Sequence, residues 1–165
     1  MQNERDCWET PIPVYDKIDH LFNFDIDVCA GENNKKAGYH FSRSDDALSI
    51  NWAFEAFYRW DLDIQTAWCN PPYSDVGPWL EKAIQEARIN NITTVLLTNY
   101  IVDCAYFNQH INKYAEIWLA MKRIQFEPPG NIKASSNSKP QQVTVITHES
   151  VMFTGTPEVK LWDNR

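Results

Sequence analysis

The chain has 165 residues, of which 44% are hydrophobic and 22% charged, a composition that supports one folded domain and excludes global disorder. The formal net charge of −7 disfavours a nucleic-acid binder unless positive charge is clustered, because phosphate contacts normally need a basic surface. The cysteines form neither a CxxC pair nor a His–Cys spacing typical of zinc, so no disulfide framework and no metal site is predicted.

The ends and the apolar runs of the sequence bear on where the protein works. Residues 1–6 are polar and contain no apolar signal core, and no apolar run approaches the roughly 20 residues that a membrane helix needs. Scattered cysteines of this kind fit a reducing compartment. We therefore expect a cytoplasmic protein with no membrane association and a single domain spanning residues 1–165.

Taken in chain order, the first half predicts a helix and two short strands before an aromatic segment. The elements are a helix over residues 12–22, a strand over 24–29, a polar turn over 30–38, a short strand over 39–41, and a segment over 47–60 that suits either a helix or irregular packing. Pro13 fits the first turn of the helix. Along the first strand, Phe24, Ile26 and Val28 fall on one face, opposite the two aspartates.

The second half alternates strands with helices. The elements are a strand over 64–69, a helix over 79–90, a buried strand over 93–98, a helix over 103–114, a strand over 116–120 and a final strand over 142–147. The final strand, together with residues 151–153, is expected to form an antiparallel edge, and the tail beyond Phe153 is expected to be loosely attached. The alternation predicts an α/β fold with a mostly parallel sheet and helices on both faces.

Asn70-Pro71-Pro72-Tyr73 is the most informative stretch of the sequence. It directly follows a predicted strand, and in an open α/β sheet ligands bind at the carboxyl ends of the strands. Two prolines fix the backbone and remove two N–H donors, so the loop is rigid and presents carbonyl oxygens. The side-chain oxygen of Asn70 and the main-chain oxygen of Pro71 would accept the hydrogens of a planar amino group, while Tyr73 stacks on its ring. We therefore predict that Asn70, Pro71, Pro72 and Tyr73 are catalytic.

Several planar amino groups would suit this loop. The N6 amine of adenine, the N4 amine of cytosine and the side-chain amide of glutamine are all planar, and the loop alone does not separate them. A tight turn without a chemical role would also use Asn-Pro-Pro. A protein of another class, which binds nucleic acid or nucleotides without catalysis, would use the same fold as a scaffold.

The loop matches the catalytic motif of amino-methyltransferases, and much of the remaining chain resembles the small, phage-encoded type of DNA N6-adenine methyltransferase. The matching features occur in the family's order between about residues 8 and 148: Trp8-Glu9-Thr10-Pro11, Asp25-Ile26-Asp27-Val28-Cys29-Ala30, Asp46-Ala47-Leu48 with Trp52, residues 67–74 with Trp79, and Arg123-Ile124-Gln125-Phe126. This resemblance implies a Rossmann-like methyltransferase sheet and an enzyme that transfers methyl from S-adenosylmethionine to the exocyclic N6 of adenine in DNA.

The resemblance also implies a site for S-adenosylmethionine in the first half of the chain, with no metal. The residues assigned to this site are Trp8, Thr10, Pro11, Asp27, Ala30, Asp45, Asp46 and Asn70. Asp27 would hold the ammonium group of the cofactor. Asp45 or Asp46 would accept from the amine of the cofactor's adenine, and the sequence does not decide between the two. The Gly-x-Gly signature of many cofactor-binding α/β folds is absent after the first strand.

One segment could supply the basic surface that DNA needs. Residues 122–140 carry four basic side chains against one acid, a net charge of +3 within an acidic protein. We predict that these four side chains contact DNA: Lys122, Arg123, Lys133 and Lys139. The alternatives are that the polar loop over residues 127–140 is merely solvated, or that a second basic patch, formed by Lys35, Lys36 and Arg43, binds the phosphates.

Two further expectations concern how such an enzyme would recognise and reach an adenine in duplex DNA. No helix-turn-helix or zinc module is present in the sequence, so the target site should be short or weakly discriminated. An adenine inside a duplex reaches Tyr73 only if it is flipped out of the stack. The sequence does not predict an oligomeric state.

Overall fold

The structure, a computed structural model, describes residues 9–31, 34–102, 104–105, 107–128, 139–153 and 158–164. Its strands are β1 (Ile26–Ala30), β2 (Tyr39–Ser42), β3 (Thr66–Cys69), β4 (Thr93–Asn99), β5 (Glu116–Ala120), β6 (Gln141–Ile146) and β7 (Val159–Trp162). Its α-helices are α1 (Ile12–Phe22), α2 (Trp52–Trp60), α3 (Gly77–Asn90) and α4 (His148–Met152). Two predicted site residues, Trp8 and Lys133, lie outside the described residues, as does most of the loop over residues 127–140.

The seven strands form one sheet in the order β2-β1-β3-β4-β6-β5-β7. Strands β2, β1, β3 and β4 are mutually parallel, and β7 is parallel to β5. Strand β6 alone runs antiparallel, between β4 and β5. The prediction of a mostly parallel α/β sheet with an antiparallel part toward one edge is therefore confirmed. Because β6 is reversed, it begins at the same edge where its neighbours end, which we call the carboxyl edge.

Helices cover both faces of the sheet, each over its own hydrophobic core. On one face, α2, α3 and α4 pack on the inner side chains of the strands, and Trp52, Leu80 and Leu96 are fully buried there. On the other face, α1 packs with Trp68 and Val95. Successive residues of β4 alternate between the two cores, so the strand is buried on both sides, as its continuous β-branched and apolar sequence predicts.

Three helices form where their sequences indicate. Helix α1 has the predicted bounds and ends at Asn23, whose left-handed backbone (φ 53°) places its N–H on the carbonyl of Asp19. The ambiguous aromatic segment forms α2, since the Asn51 side chain accepts from the N–H of Phe54 and caps its first turn. Helix α3 opens at Gly77-Pro78 and buries one apolar side, as its spacing predicts.

The helix predicted over residues 103–114 is irregular in the structure. Its described part is a π-helix at Phe107–Ile111 followed by a 3₁₀-helix at Asn112–Tyr114. The side chain of Asn108 donates to the carbonyls of Val102 and Cys104, at 2.6 and 3.3 Å. Asparagine competes in this way with backbone hydrogen bonding, which explains why the apolar spacing did not give an α-helix.

The end of the chain also differs from the prediction. Residues 151–153 are not part of a strand, because Thr147 and Ser150 cap each other's backbone and start helix α4. The tail beyond Phe153 is not loosely attached throughout, because β7 pairs with β5. Lys160 forms an ion pair with Glu116 and lies 4.4 Å from the centre of the Trp118 ring, which fixes the strand in register. The outermost strand on this side is therefore β7.

Candidate active site

The Asn70-Pro71-Pro72-Tyr73 loop leaves the carboxyl edge of the sheet at the end of β3. Strand β3 lies between β1 and β4, so the loop is flanked by the ends of two parallel neighbours. Pro71 is buried, and the carbonyl of Pro72 accepts from the N–H of Asp75 at 3.1 Å, closing a turn before α3. The fold thus places the loop where open α/β sheets bind their ligands.

The loop contains polar atoms that are buried without a hydrogen-bond partner. In the described part of the chain, four buried side-chain oxygens have none: those of Thr10, Asn70, Tyr73 and Thr94. Three of the four belong to residues predicted for the site. Leaving a buried polar atom unpaired costs roughly 1–3 kcal/mol, so such atoms call for an explanation. A ligand that donates to the Asn70 oxygen would supply one.

Tyr73 is held on one side by another aromatic ring. The ring of Phe126 meets it edge to face, with centroids 5.6 Å apart and planes at 88°. Burial, with a smaller contribution from the nearby Cys69, raises the pKa of Tyr73 well above its ordinary value. The hydroxyl therefore stays neutral at any working pH and is not a general base. Tyr73 as a whole is only half-buried, so part of its surface is open to a ligand.

Asp27 is a buried carboxylate in β1, 3% exposed, on the strand adjacent to the loop. One of its oxygens accepts from the N–H of Cys29 and the other from the N–H of Lys36, each at 3.1 Å. Burial raises its pKa to about 6, and these two hydrogen bonds limit the rise. Asp27 therefore fixes the turn after β1 and also carries an ionisable group into the site region.

The turn after β1 is joined to the segment that precedes α1. The ammonium of Lys36, whose side chain is 7% exposed, lies 3.7 Å from the carboxylate of Glu9. Glu9 exchanges two backbone hydrogen bonds with Glu127, at 2.8 and 2.9 Å. These links bring Thr10 near the same edge as Asp27. Lys36 is engaged inside the protein and is not available for phosphate, which weakens the alternative basic patch.

Gly31, the residue after β1, packs closely against the side chain of Asn34. A Cβ atom at this position would lie 2.7 Å from the side-chain oxygen of Asn34, which already accepts from the Gly31 N–H. Ala30, also predicted for the cofactor site, is 5% exposed at the end of the strand. The turn is thus shaped by Asn34 and Asp27 in the absence of a Gly-x-Gly sequence.

The structure separates the two acidic candidates that follow β2. Asp45 accepts from Arg59 at 2.5 Å and from Ser42 at 2.7 and 2.8 Å. Burial acts to raise the pKa of Asp45, but the hydrogen bonds from Arg59 and Ser42 outweigh it and hold the pKa below its ordinary value. Asp46 is exposed and takes a left-handed backbone (φ 48°) at the end of the turn. Asp45 is thus committed to an internal ion pair, whereas Asp46 is open to solvent.

The described residues of the predicted DNA loop begin and end at the carboxyl edge. Lys122 and Arg123 follow β5, and Lys139 precedes β6, and all three are exposed. Asn164 fixes the backbone of Lys122 from both sides, accepting from its N–H at 2.9 Å and donating to its carbonyl at 2.7 Å. The three basic side chains therefore project from the edge that carries the Asn70 loop.

Two contributions to the site were not predicted from the sequence. Phe126 was noted only as part of a matching motif, although its ring backs Tyr73. The pairing of Glu9 with Glu127, which joins the two ends of the site, has no signal in local sequence because the partners are far apart in the chain. Among the described residues no group of His, Cys, Asp or Glu could hold a metal ion, and no helix could cross a membrane.

Comparison with known proteins adds the family. The family model described as DNA N-6-adenine-methyltransferase (Dam) matches residues 1–157. A protein named DNA N-6-adenine-methyltransferase from Haemophilus phage HP1 is 28% identical over 149 residues, which are 88% of this chain and 80% of that protein. A protein of the same name from Escherichia phage T1 is 31% identical over 94 residues, 56% of this chain and 36% of that protein.

The family description bears on the choice of acceptor that the loop left open. It names the N6 position of adenine, and it names neither cytosine nor a glutamine amide. The match spans α1, the Asn70 loop, Asp27 and the basic segment, so it covers every predicted site residue. The chain belongs to the Dam family and is a DNA adenine-N6 methyltransferase.

Proposed function

We propose that this methyltransferase binds S-adenosylmethionine at the carboxyl ends of β1 and β2 and presents a flipped adenine to Asn70-Pro71-Pro72-Tyr73. The observation that carries the proposal is the buried oxygen of Asn70, which has no partner among the described residues. Asn70 shares its loop with the partly exposed Tyr73, at the edge of the sheet where such folds bind ligands. A donor with two hydrogens on a planar ring fits both features.

The residues proposed for the cofactor suit its chemistry. The buried oxygen of Thr10 has no partner in the part of the chain that the structure describes, and Pro11 and Ala30 add apolar surface to the same edge. Asp27 would pair with the ammonium group, since a carboxylate is the natural acceptor for a buried cation. Asp46, rather than the internally bonded Asp45, would accept from the adenine amine. Trp8 remains a prediction from the resemblance.

When bound, S-adenosylmethionine supplies a methyl group on a positively charged sulfur. The chain's own part is to prepare the nucleophile. Asn70 Oδ1 and the carbonyl of Pro71 accept the two amine hydrogens, which withdraws the nitrogen lone pair from conjugation with the base. That interaction strengthens as the nitrogen gains positive charge, so it favours the transition state over the ground state.

Rigidity of the loop matters for the same reason. Pro71 and Pro72 fix two backbone dihedrals, so the acceptor oxygens are in place before the base arrives. Tyr73 contributes a flat surface for the base, and Phe126 keeps that surface from turning away. An adenine can reach this surface only after it leaves the duplex, which costs a few kcal/mol that stacking on Tyr73 helps to offset.

The proposed DNA contacts are Lys122, Arg123 and Lys139, with Lys133 as a further prediction outside the described residues. Their position at the carboxyl edge would place phosphates close to the Asn70 loop. Both phage relatives carry the name of an enzyme that acts on DNA, and we infer the same setting for this chain, the cytoplasm of an infected bacterium.

Methyl transfer from labelled S-adenosylmethionine to DNA tests the cofactor directly. We expect the label to enter DNA even in the presence of a chelator. The methylated nucleoside should be N6-methyl-2′-deoxyadenosine. Excess unlabelled S-adenosylmethionine should dilute the label, which serves as the control. Absence of transfer by folded protein, or a requirement for a metal ion, would contradict this part of the proposal.

A further inference from the structure

Two consecutive glutamines, Gln141 and Gln142, open β6 at the carboxyl edge, and their side chains bind different loops. Both are buried, at 2% and 0% exposure. The side-chain oxygen of Gln141 accepts from the N–H of Ile124 at 2.8 Å. The side-chain oxygen of Gln142 accepts from the N–H of Ile101, also at 2.8 Å. Each glutamine side chain thus accepts a hydrogen bond from the backbone of a different loop.

Gln141 holds both ends of the basic segment that we propose to contact DNA. While its oxygen binds Ile124 at the outgoing end, its side-chain nitrogen donates to the carbonyl of Lys139 at the returning end. A single amide therefore closes the base of the segment. Gln142 makes no such bridge, since its nitrogen donates to Thr144 within the same strand.

The bond to Ile124 also leads to Tyr73. Ile124 and Phe126 are 2% and 7% exposed and belong to one buried cluster, against which Tyr73 packs. The rings of Phe126 and Tyr73 meet edge to face. The next residue, Glu127, exchanges two backbone hydrogen bonds with Glu9. This short stretch is therefore anchored by Gln141 at one end and by Glu9 at the other, with the contact to Tyr73 between them.

We propose that Gln141 is a positioning residue for capture of the flipped adenine, acting through Ile124 and Phe126 on the ring of Tyr73. The inference rests on the proposed stacking role of Tyr73. Without the Gln141 amide, the Ile124 N–H would be buried without a partner, and the stretch would shift toward water. Such a shift moves Phe126 and lets the Tyr73 ring turn, although no atom of Gln141 touches the base.

The chain offers a matched control for the test. Gln141→Met and Gln142→Met each remove a buried side chain that accepts from a backbone N–H at the same distance, and each keeps an unbranched side chain. A merely structural role predicts equal effects of the two changes. The positioning role predicts that only Gln141→Met alters capture of the target base. Gln141→Glu retains an oxygen acceptor for Ile124 but loses the donor to the carbonyl of Lys139, so it should recover part of the loss.

The experiment is single-turnover methyl transfer with saturating cofactor on two DNAs, which carry the target adenine either paired or opposite an abasic site. We expect Gln141→Met to lower the rate on paired DNA by roughly 10- to 100-fold, the scale of a small misplacement in a site. On the abasic DNA, where the base is already unpaired, the loss should be much smaller. Gln142→Met should change both rates little. Tyr73→Ala, measured alongside, should resemble Gln141→Met.

Phe126→Leu tests the contact between Phe126 and Tyr73. It can still refute the proposal if Gln141→Met folds poorly. It should show the same selective loss on paired DNA, and combining it with Gln141→Met should add little, because both changes act on one contact. If Gln141→Met and Gln142→Met had equal effects while Tyr73→Ala was impaired, the proposed role of Gln141 would be wrong and that of Tyr73 would stand. A fully active Tyr73→Ala would overturn the role of Tyr73 and this inference with it.

Discussion

At the scale of single residues, the proposed site contains buried polar groups that are incompletely paired within the described part of the chain. Asn70 Oδ1 and Thr10 Oγ1 are buried without a partner among the described residues, and the buried carboxylate of Asp27 accepts from the backbone N–H groups of Cys29 and Lys36. Each arrangement costs stability in the absence of a ligand. Such costs are typical of functional residues, because a core selected for stability alone would pair or remove these atoms.

The raised pKa of Asp27 predicts a pH dependence of cofactor binding. Near its pKa of about 6 the carboxyl is half protonated, and it must be ionised to hold an ammonium group. From pH 5 to pH 7 the affinity for S-adenosylmethionine should therefore rise about tenfold. Calorimetric titration across this range measures it. The Asp27→Ala variant should bind more weakly by roughly 1–3 kcal/mol and without this pH dependence.

The raised pKa of Asp27 also determines how this residue's contribution to folding stability changes with pH. A carboxyl whose pKa is raised from 3.8 to about 6 on folding contributes stability below pH 3.8, and this contribution is lost as the pH rises through 6. Cofactor affinity and the stability contribution of Asp27 should thus change in opposite directions between pH 5 and 7. Wild-type affinity that stays flat over this range would remove Asp27 from the ammonium site.

Substitutions at Tyr73 separate the contribution of its aromatic ring to activity from that of its hydroxyl group. Its hydroxyl is buried without a described partner, so Tyr73→Phe should keep most of the activity and should not lower the free energy of unfolding. Tyr73→Ala should lose stacking worth roughly 1–3 kcal/mol, mainly on paired DNA. Single-turnover rates and urea unfolding of both variants provide the measurement. If Tyr73→Phe were as inactive as Tyr73→Ala, the hydroxyl would be the functional group.

At the scale of elements, the carboxyl edge gathers the ends of β1, β3 and β5 and the start of β6. The basic segment enters and leaves at this edge, held by Gln141 and by Asn164. Phosphate contacts from Lys122, Arg123 and Lys139 would then lie beside the Asn70 loop. This arrangement would give an acidic protein a local basic surface.

The basic segment predicts a salt dependence of DNA affinity. If each of these side chains neutralises a phosphate, its replacement by alanine should reduce the slope of log K against log salt by about 0.9. Lys113→Ala is the control, since this exposed lysine precedes β5 and lies at the opposite edge. Fluorescence anisotropy over a range of salt concentrations measures the slopes. If Lys122→Ala, Arg123→Ala and Lys139→Ala all leave affinity and slope unchanged, the segment is a solvated surface.

Elements with strong local signals could be predicted from the sequence, and those that depend on distant partners could not. Helix α1, strand β5 and the Asn70 loop follow from spacing, branching and proline. A helix was predicted over residues 107–114, but its π- and 3₁₀-geometry was not, because Asn108 bonds to backbone carbonyls in a way that the apolar spacing does not reveal. Strand β7 escaped it because its four residues become a strand only by pairing with β5.

The site shows the same division. The roles of Asn70 and Asp27 rest on local motifs, whereas the choice between Asp45 and Asp46 depends on Arg59, which is 14 residues away from Asp45. No periodicity in the sequence indicates that Arg59 turns back to that carboxylate. The buried contact from Gln141 through Ile124 to Phe126 is likewise a tertiary feature, and only the folded chain reveals it.

At the scale of the whole molecule, the distribution of charge reconciles a net charge of −7 with DNA as substrate. Part of the acidity is placed away from the site. Asp25 stands before β1 and accepts from the N–H groups of Gln65 and Thr66 at the opposite edge of the sheet. Asp61 and Asp63 precede β3 at that same edge and are exposed. Repulsion of DNA by this edge would favour approach by the carboxyl edge.

The central claim is that Asn70 accepts a hydrogen from the target nitrogen, and single-turnover methyl transfer by Asn70→Ala tests it most directly. The control is Asn99→Ala, which makes the same change at the end of the neighbouring strand β4. We predict that Asn70→Ala folds and keeps most of its affinity for S-adenosylmethionine, because the proposed cofactor pocket is built mainly from residues earlier in the chain. Methyl transfer by Asn70→Ala should be about 100- to 1,000-fold slower, whereas Asn99→Ala retains most of its rate. A folded Asn70→Ala protein that methylates adenine at the wild-type rate would contradict the mechanism.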